Sequence, residues 1–521
     1  MRGLGVGLGV RLGILLGVLL GTATVDAQDR DTGIVITHHA ITVGGQRIAY
    51  TARAGLIPIR INETGEAHGY VFFVAYTVDR ASSAPPRPIT FLWHGGPGAN
   101  SQLMHLVAFG PRRIAARDAA HPDRLVIEDN AATLLGATDL VFVDPVGTGY
   151  GRLARADHAP EFYGTLGDIA VTTEFIRVYL TRRDGWRRPL FVGGESFGVW
   201  RAAGVAEMLE RKGIPVAGEI LISGGMPVVA KTPYALKAAL FLPTRTAAAL
   251  FHGKLASDLQ ADPRAAFAAS AQWARAEYAG ALDSAEHLSP ERKAAVAMHL
   301  ARFTGLDVSL IDTATLIVKR GQFGQQLLRD QHVTLDRFDD RRTHPAGAEM
   351  GRSKVDIARD ALTVRYLRLE LGYRTDLAYL GSEAGYVPVT DSAPSSPDQQ
   401  WAWDQNAPPK DSTAPPPAAS AQARRLADDG PPNGAEPWLL RAMGLDPSLH
   451  AFVAVGLYDS LNSCAWNDYL AGWLEPAVGG RIVAKCYVGG HMMYEDPDTR
   501  YQLTHDVAAF IRSTAASSPA R

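Results

Sequence analysis

Cysteine is almost missing from this chain, with two in 521 residues, Cys464 and Cys486. That excludes a disulfide-dense scaffold. Neither cysteine has a cysteine or histidine partner at ligand spacing, and no His-Glu-x-x-His run occurs. No metal and no other cofactor is therefore expected. A surplus of one charge is missing too: 52 Lys and Arg stand against 54 Asp and Glu, a formal net charge of −2. Nothing in that balance would draw the chain to nucleic acid or an anionic membrane surface. Internal repeats are absent, and the oligomeric state cannot be read.

A long hydrophobic run is lacking as well. Leu12–Leu20 is strictly apolar, well short of the roughly 20 residues that span a bilayer. Arg2 and Arg11 precede it, and Val25-Asp26-Ala27 follows with small residues. This is the layout of a secretory signal peptide. Residues 1–27 are expected to be removed near Ala27, leaving a periplasmic or secreted protein with no stable membrane association. Export permits a Cys464–Cys486 disulfide; two small buried hydrophobes are the alternative.

What the chain has is alternation. Ile89–Trp93, Leu140–Val143, Leu190–Val192, Glu219–Ile222, Phe452–Val455 and Ile482–Val488 read as buried strands. Helical patterns such as Ile169–Leu180 and Val199–Arg211 lie between them. The order predicts an α/β fold, a mostly parallel sheet covered on both faces. From about Lys231 to Leu371 strands give way to helical spacing, and Asp391–Pro437 is crowded with proline, serine and alanine. The expected organisation is a sheet domain in two parts, 28–228 and 438–521. Between them lies a helical cap insertion, 229–437, that ends in the irregular 391–437 segment.

Directly after Leu190-Phe191-Val192 comes Gly193-Gly194-Glu195-Ser196-Phe197-Gly198-Val199-Trp200. Ser196 could simply cap a helix beginning near Phe197. Gly194 and Gly198 also give it the spacing of a nucleophile elbow, with the serine on a strained strand-to-helix turn. A serine hydroxyl needs a base, and the base an orienting acid. Downstream, Val453-Ala454-Val455-Gly456 runs into Asp459, and Tyr487-Val488-Gly489-Gly490 into His491. Taken singly, Asp459 could cap a helix over Leu461–Leu470 and His491 could be a packed loop residue. In the order Ser, Asp, His they form a candidate triad. Upstream, His94-Gly95-Gly96-Pro97-Gly98 follows the strand Ile89–Trp93, as an oxyanion loop would. Its second donor would be the N–H of Phe197.

At these residues the chain resembles the serine carboxypeptidase family, particularly its bacterial members. The resemblance rests on "HGGPGANS" at His94–Ser101, "DLVFVDPVGTGYG" at Asp139–Gly151, "GESFG" at Gly194–Gly198, "GLYD" at Gly456–Asp459 and "GHM" at Gly490–Met492. It runs from about Ile41 to Ile511. It implies an α/β-hydrolase fold with a helical cap, and release of single residues from peptide C-termini. Ser196 would be nucleophile, His491 base and then acid, and Asp459 orienter. Gly96 and Phe197 would form the oxyanion hole. Glu195, protonated at acidic pH, would help His94 and Gly95 bind the substrate's terminal carboxylate. Many members carry asparagine where His94 stands; a histidine could donate to the carboxylate, more strongly when charged, or be structural. The "HGGPG" spelling also resembles proline iminopeptidases, which remove N-terminal residues. An esterase or acyltransferase would use the same triad, and a binding protein on the scaffold is a further reading.

Overall fold

The computed structural model describes residues 33–81, 83–117, 121, 123–228, 234–348, 353–381, 401–404 and 436–517. The expected signal peptide, 1–27, lies outside them, as does most of 391–437. Strands β1 (Val35–Val43), β2 (Gln46–Arg60) and β3 (Ala67–Val78) form an antiparallel meander. β4 (Ile89–Trp93) leads into a small hairpin of β5 (Arg112–Ala116) and β6 (Leu125–Asp129). β7 (Asp139–Asp144), β8 (Arg152–Leu153), β9 (Leu190–Glu195) and β10 (Gly218–Ile222) follow. Among the described residues between β10 and residue 437, the strands are the short hairpin β11 (Val333–Leu335) and β12 (Thr343–Pro345). β13 (His450–Gly456) and β14 (Ile482–Tyr487) complete the main sheet.

The strand order is β1-β2-β3-β7-β4-β9-β10-β13-β14, with β8 beside β3. From β7 to β14 every neighbouring pair is parallel. The fold is therefore an α/β sheet of mostly parallel strands. Alternate residues feed two cores. Phe91, Trp93, Val143, Val192, Leu221 and Val453 pack towards one face, against helices Thr165–Arg182, Gly198–Arg211 and Trp438–Leu445. Leu92, Phe142, Phe191, Ile220 and Phe452 pack towards the other, against Pro497–Ser517. Burial on both faces explains why the central strands read as continuous apolar runs.

Six runs expected as strands are strands, but one was misjudged in kind. β14 is an edge strand, not a buried one: Val483 is 42% and Val488 57% exposed. Its open side is blunted by charge, with Lys485 Nζ paired to Asp506 at 2.8 Å. Cys486 is exposed too and is disulfide-bonded to Cys464, at a Cα–Cα distance of 5.6 Å. The bridge joins the first residue of helix Cys464–Trp473 to β14. Closing a loop of that size is worth about 3 kcal/mol against the unfolded chain.

One buried group sits outside any polar network. Glu219 lies on β10 opposite Val192 and Ala451, fully buried, and neither carboxyl oxygen finds a hydrogen-bond partner among the described residues. Burial pushes its carboxyl up to about 8. The folded state then binds a proton that the unfolded state releases near pH 4.5, so stability falls as pH rises from there to about 8. We expect Glu219→Gln to flatten that decline. Denaturant titrations at pH 5, 6.5 and 8 on both proteins test it, and parallel profiles would refute it.

Candidate active site

At the end of β9 the chain must turn sharply into helix Gly198–Arg211. Ser196 takes the turn with φ of +58°, a left-handed conformation that costs a non-glycine residue about 1–3 kcal/mol. Close packing holds it there. A Cβ on Gly194 would lie 2.0 Å from the Gly198 carbonyl oxygen, and one on Gly224 would lie 2.4 Å from the Ser196 carbonyl oxygen. The Ser196 N–H donates to Ile222 O at 2.9 Å, fastening the elbow to the end of β10. Ser196 is partly exposed while Glu195 and Phe197 are buried. It does not cap the helix: the capping position belongs to Phe197, which makes no side-chain cap bond.

The two downstream candidates meet. His491 Nδ1 lies 2.9 Å from Asp459 Oδ2, with His491 2% exposed and Asp459 fully buried. Asp459 also accepts from Leu461 N and from Asn462 Nδ2, both at 2.9 Å. A carboxylate can only accept, so the Nδ1 proton sits on the histidine and the Nε2 lone pair is left to act as a base. Asn462 Nδ2 also donates to Ser223 O, and Ser223 Oγ donates to His491 O at 2.5 Å. Residues 222 and 223 thus tie the serine turn, the acid and the histidine together at one edge of the sheet. The helix-capping role considered for Asp459 falls to Ser463, which caps Cys464–Trp473 by accepting from Trp466 N.

Sequence reasoning missed what holds these loops. Residues 337–340, between β11 and β12, reach onto both. His491 N donates to Phe338 O at 2.6 Å, and the Phe338 ring lies 5.5 Å from the imidazole. Asp340 N donates to Tyr458 O, and Ser460 Oγ donates to Arg337 O at 2.5 Å. The Asp-Arg-Phe-Asp-Asp spelling carried no signal for such a clamp.

On the other side of Ser196, the glycine-rich loop leaves β4. Gly96 has φ of +101°, and the Gly96–Pro97 peptide is cis. A Cβ on Gly95 would lie 2.5 Å from Phe197 N and 2.7 Å from Glu195 O, so loop and elbow backbones are in direct contact. Three further bonds fix the loop. Trp93 Nε1 donates to Gly198 O at 2.9 Å, and the buried Arg201 donates from Nη1 to His94 O at 2.7 Å. Arg201 is itself neutralised by Asp168 at 2.5 Å. At the loop's far end Asp144 accepts from Ser101 N at 2.7 Å and Tyr379 Oη at 2.9 Å; burial raises its carboxyl to about 6. The N–H of Phe197 stands at the start of the helix, where no preceding turn can accept it.

His94 and Glu195 are neighbours beneath the loop. Imidazole Nε2 and carboxyl Oε2 lie 3.4 Å apart, and Tyr494 donates its hydroxyl to the same oxygen at 2.5 Å. His94 is 6% and Glu195 0% exposed. Desolvation, with His491 and Arg201 nearby, drives the His94 pKa down to about 3. Burial therefore favours the neutral ring over the charged His94 considered from sequence. Next to it opens a small cleft lined by His94, Asn100, Gln102, Asp356, Arg359 and Asp360.

The fold with these loops at its carboxyl edge is the α/β-hydrolase fold. Among solved structures the chain is similar to Kex1(Δ)p, a prohormone-processing carboxypeptidase from Saccharomyces cerevisiae. That match has a TM-score of 0.53 at 15% identity and covers 88% of this chain and 91% of that one. A carboxyl esterase from Bacillus coagulans matches at 0.34 and 12%, covering 92% of this chain and 99% of its own. A proline iminopeptidase from Mycobacterium smegmatis matches at 0.33 and 13%, with the same coverages. The sequence matches no protein-family model and no curated protein.

The contact at Gly95 gives a sharp expectation. Gly95→Ala must separate the loop from Phe197, and losing one oxyanion donor typically lowers turnover about 100- to 1000-fold. We expect that loss in turnover on an activated ester with the fold retained by circular dichroism. Near-normal turnover would place the oxyanion site elsewhere.

Proposed function

We propose that this protein is a serine hydrolase that releases residues from the C-termini of peptides. The reading rests first on one observation: a buried Asp459–His491 pair fastened, through residues 222 and 223, to a strained Ser196. In this reading His491 Nε2 takes the Ser196 hydroxyl proton as Oγ attacks the scissile carbonyl carbon. The N–H groups of Gly96 and Phe197 receive the oxyanion. The C–N bond breaks as His491 returns the proton to the leaving amine, and an acyl-enzyme remains on Ser196. Water, deprotonated by His491, then releases the acid and restores the serine.

The C-terminal direction is supported by the family resemblance and by the setting of His94 and Glu195. A neutral His94 ring N–H, the Gly95 backbone and a protonated Glu195 are the groups we assign to the substrate carboxylate. Export belongs to the same proposal. The Cys464–Cys486 bridge supports it, since such bonds persist in oxidising compartments. A second reading, an N-terminal peptidase, would set the substrate α-amine against Asp356 and Asp360, which line the cleft together with Arg359 and already accept from Ser353 and Gln102.

Paired peptides separate the two. With C-terminal residues free and N-termini acetylated, we expect single residues to be released from the C-terminus. Amidating the C-terminus should raise the Michaelis constant, and Ser196→Ala should lose several powers of ten in rate with either peptide. Cleavage that stops on acetylation but survives amidation would reverse the direction of the enzyme.

A further inference from the structure

No metal was expected, because neighbouring ligands are not spaced for one along the sequence. The fold assembles such a group from distant residues. His68 opens β3 beside β8, while His158 and Glu161 belong to the turn and short helix Ala159–Phe162 that follow β8. Atoms of all three able to ligate a metal lie within 4.8 Å of one another. We propose that His68, His158 and Glu161 form a site for a divalent transition-metal ion of the zinc type, remote in sequence from the candidate triad.

The hydrogen bonds prepare the group. His158 Nδ1 lies 3.1 Å from the His68 carbonyl oxygen, which can only accept. The Nδ1 proton is therefore fixed on His158, leaving Nε2 with its lone pair. His68 Nδ1 lies 2.8 Å from Glu161 Oε2, and a metal ion would take the place of the proton these two atoms share, with both as its ligands. A carbonyl holding the outer N–H of a histidine, as here on His158, is a usual support of a metal-binding imidazole. The backbone is tied as well, since Ala154 N donates to His68 O at 2.9 Å.

The imidazoles are stacked, with centroids 3.8 Å apart and planes inclined by 15°. An ion lying in both ring planes requires the rings to splay, by rotation about their side-chain bonds. There is room for this, because His68 is partly exposed and the Glu161 side chain is 44% exposed. Two imidazoles with a carboxylate suit zinc, copper, nickel or cobalt and are poor for magnesium or calcium, which prefer all-oxygen sets. Water would complete the shell. The ion would clamp β3 to the turn that precedes helix Thr165–Arg182.

Equilibrium dialysis of the untagged full chain against zinc chloride at pH 7.5 tests this, with magnesium chloride as comparison. We expect one zinc per chain at micromolar concentration and no magnesium. His158→Ala and, separately, Glu161→Gln should each weaken zinc at least tenfold; circular dichroism confirms that each is folded. Ser196→Ala should bind zinc as the parent does. Absence of saturable zinc binding up to about 100 µM, or unchanged binding in both folded variants, would overturn the site.

Discussion

Two stretches of backbone touch at the centre of this molecule. The glycine-rich loop after β4 lies so close to the turn after β9 that a Cβ on Gly95 would stand 2.5 Å from Phe197 N. No side chain other than hydrogen fits, and both segments are held in unusual conformations, at Gly96 and at Ser196. Such strain persists only where surrounding bonds over-determine it. Trp93 bonds across to Gly198, Arg201 to the His94 carbonyl, and Asp144 anchors the loop's exit at Ser101. Arg201 is a fully buried cation and is tolerable only because Asp168 neutralises it.

The opposite wall is built differently. Asp459 and His491 come from loops after neighbouring parallel strands, which brings their backbones together without further devices. Their side chains are then locked by groups from elsewhere: Asn462, Ser223 and residues 337–340. Residues 337–340 therefore help to fix the orientation of His491. The disulfide adds a covalent tie between the helix after the acid and the strand before the histidine.

Much of this was legible in the sequence because it depends on local chemistry. Buried parallel strands must be apolar along their length, and a strained turn in tight contact must have glycine on either side. The residues of β4, β7, β9, β10 and β13 carry those marks openly. The meander β1–β3 does not. Gly55 and Pro58 interrupt the pattern of β2, and its register is set by pairing with β1 and β3 rather than by its own alternation. The exposure of β14 was equally hidden, because edge position is a property of the sheet order. So were the Arg201–His94 carbonyl bond and the 337–340 clamp, which join residues more than a hundred apart. The downward shift of the His94 pKa follows from burial, which spelling alone does not disclose.

The central claim is that Ser196 is a nucleophile made reactive by His491. A fluorophosphonate probe, followed by peptide mass spectrometry, tests it most directly. The account predicts a single covalent adduct on Ser196, formed at least 100-fold more slowly in His491→Ala, since the base that takes the hydroxyl proton is gone. An adduct on another residue, or labelling of Ser196 at an undiminished rate without His491, would contradict it.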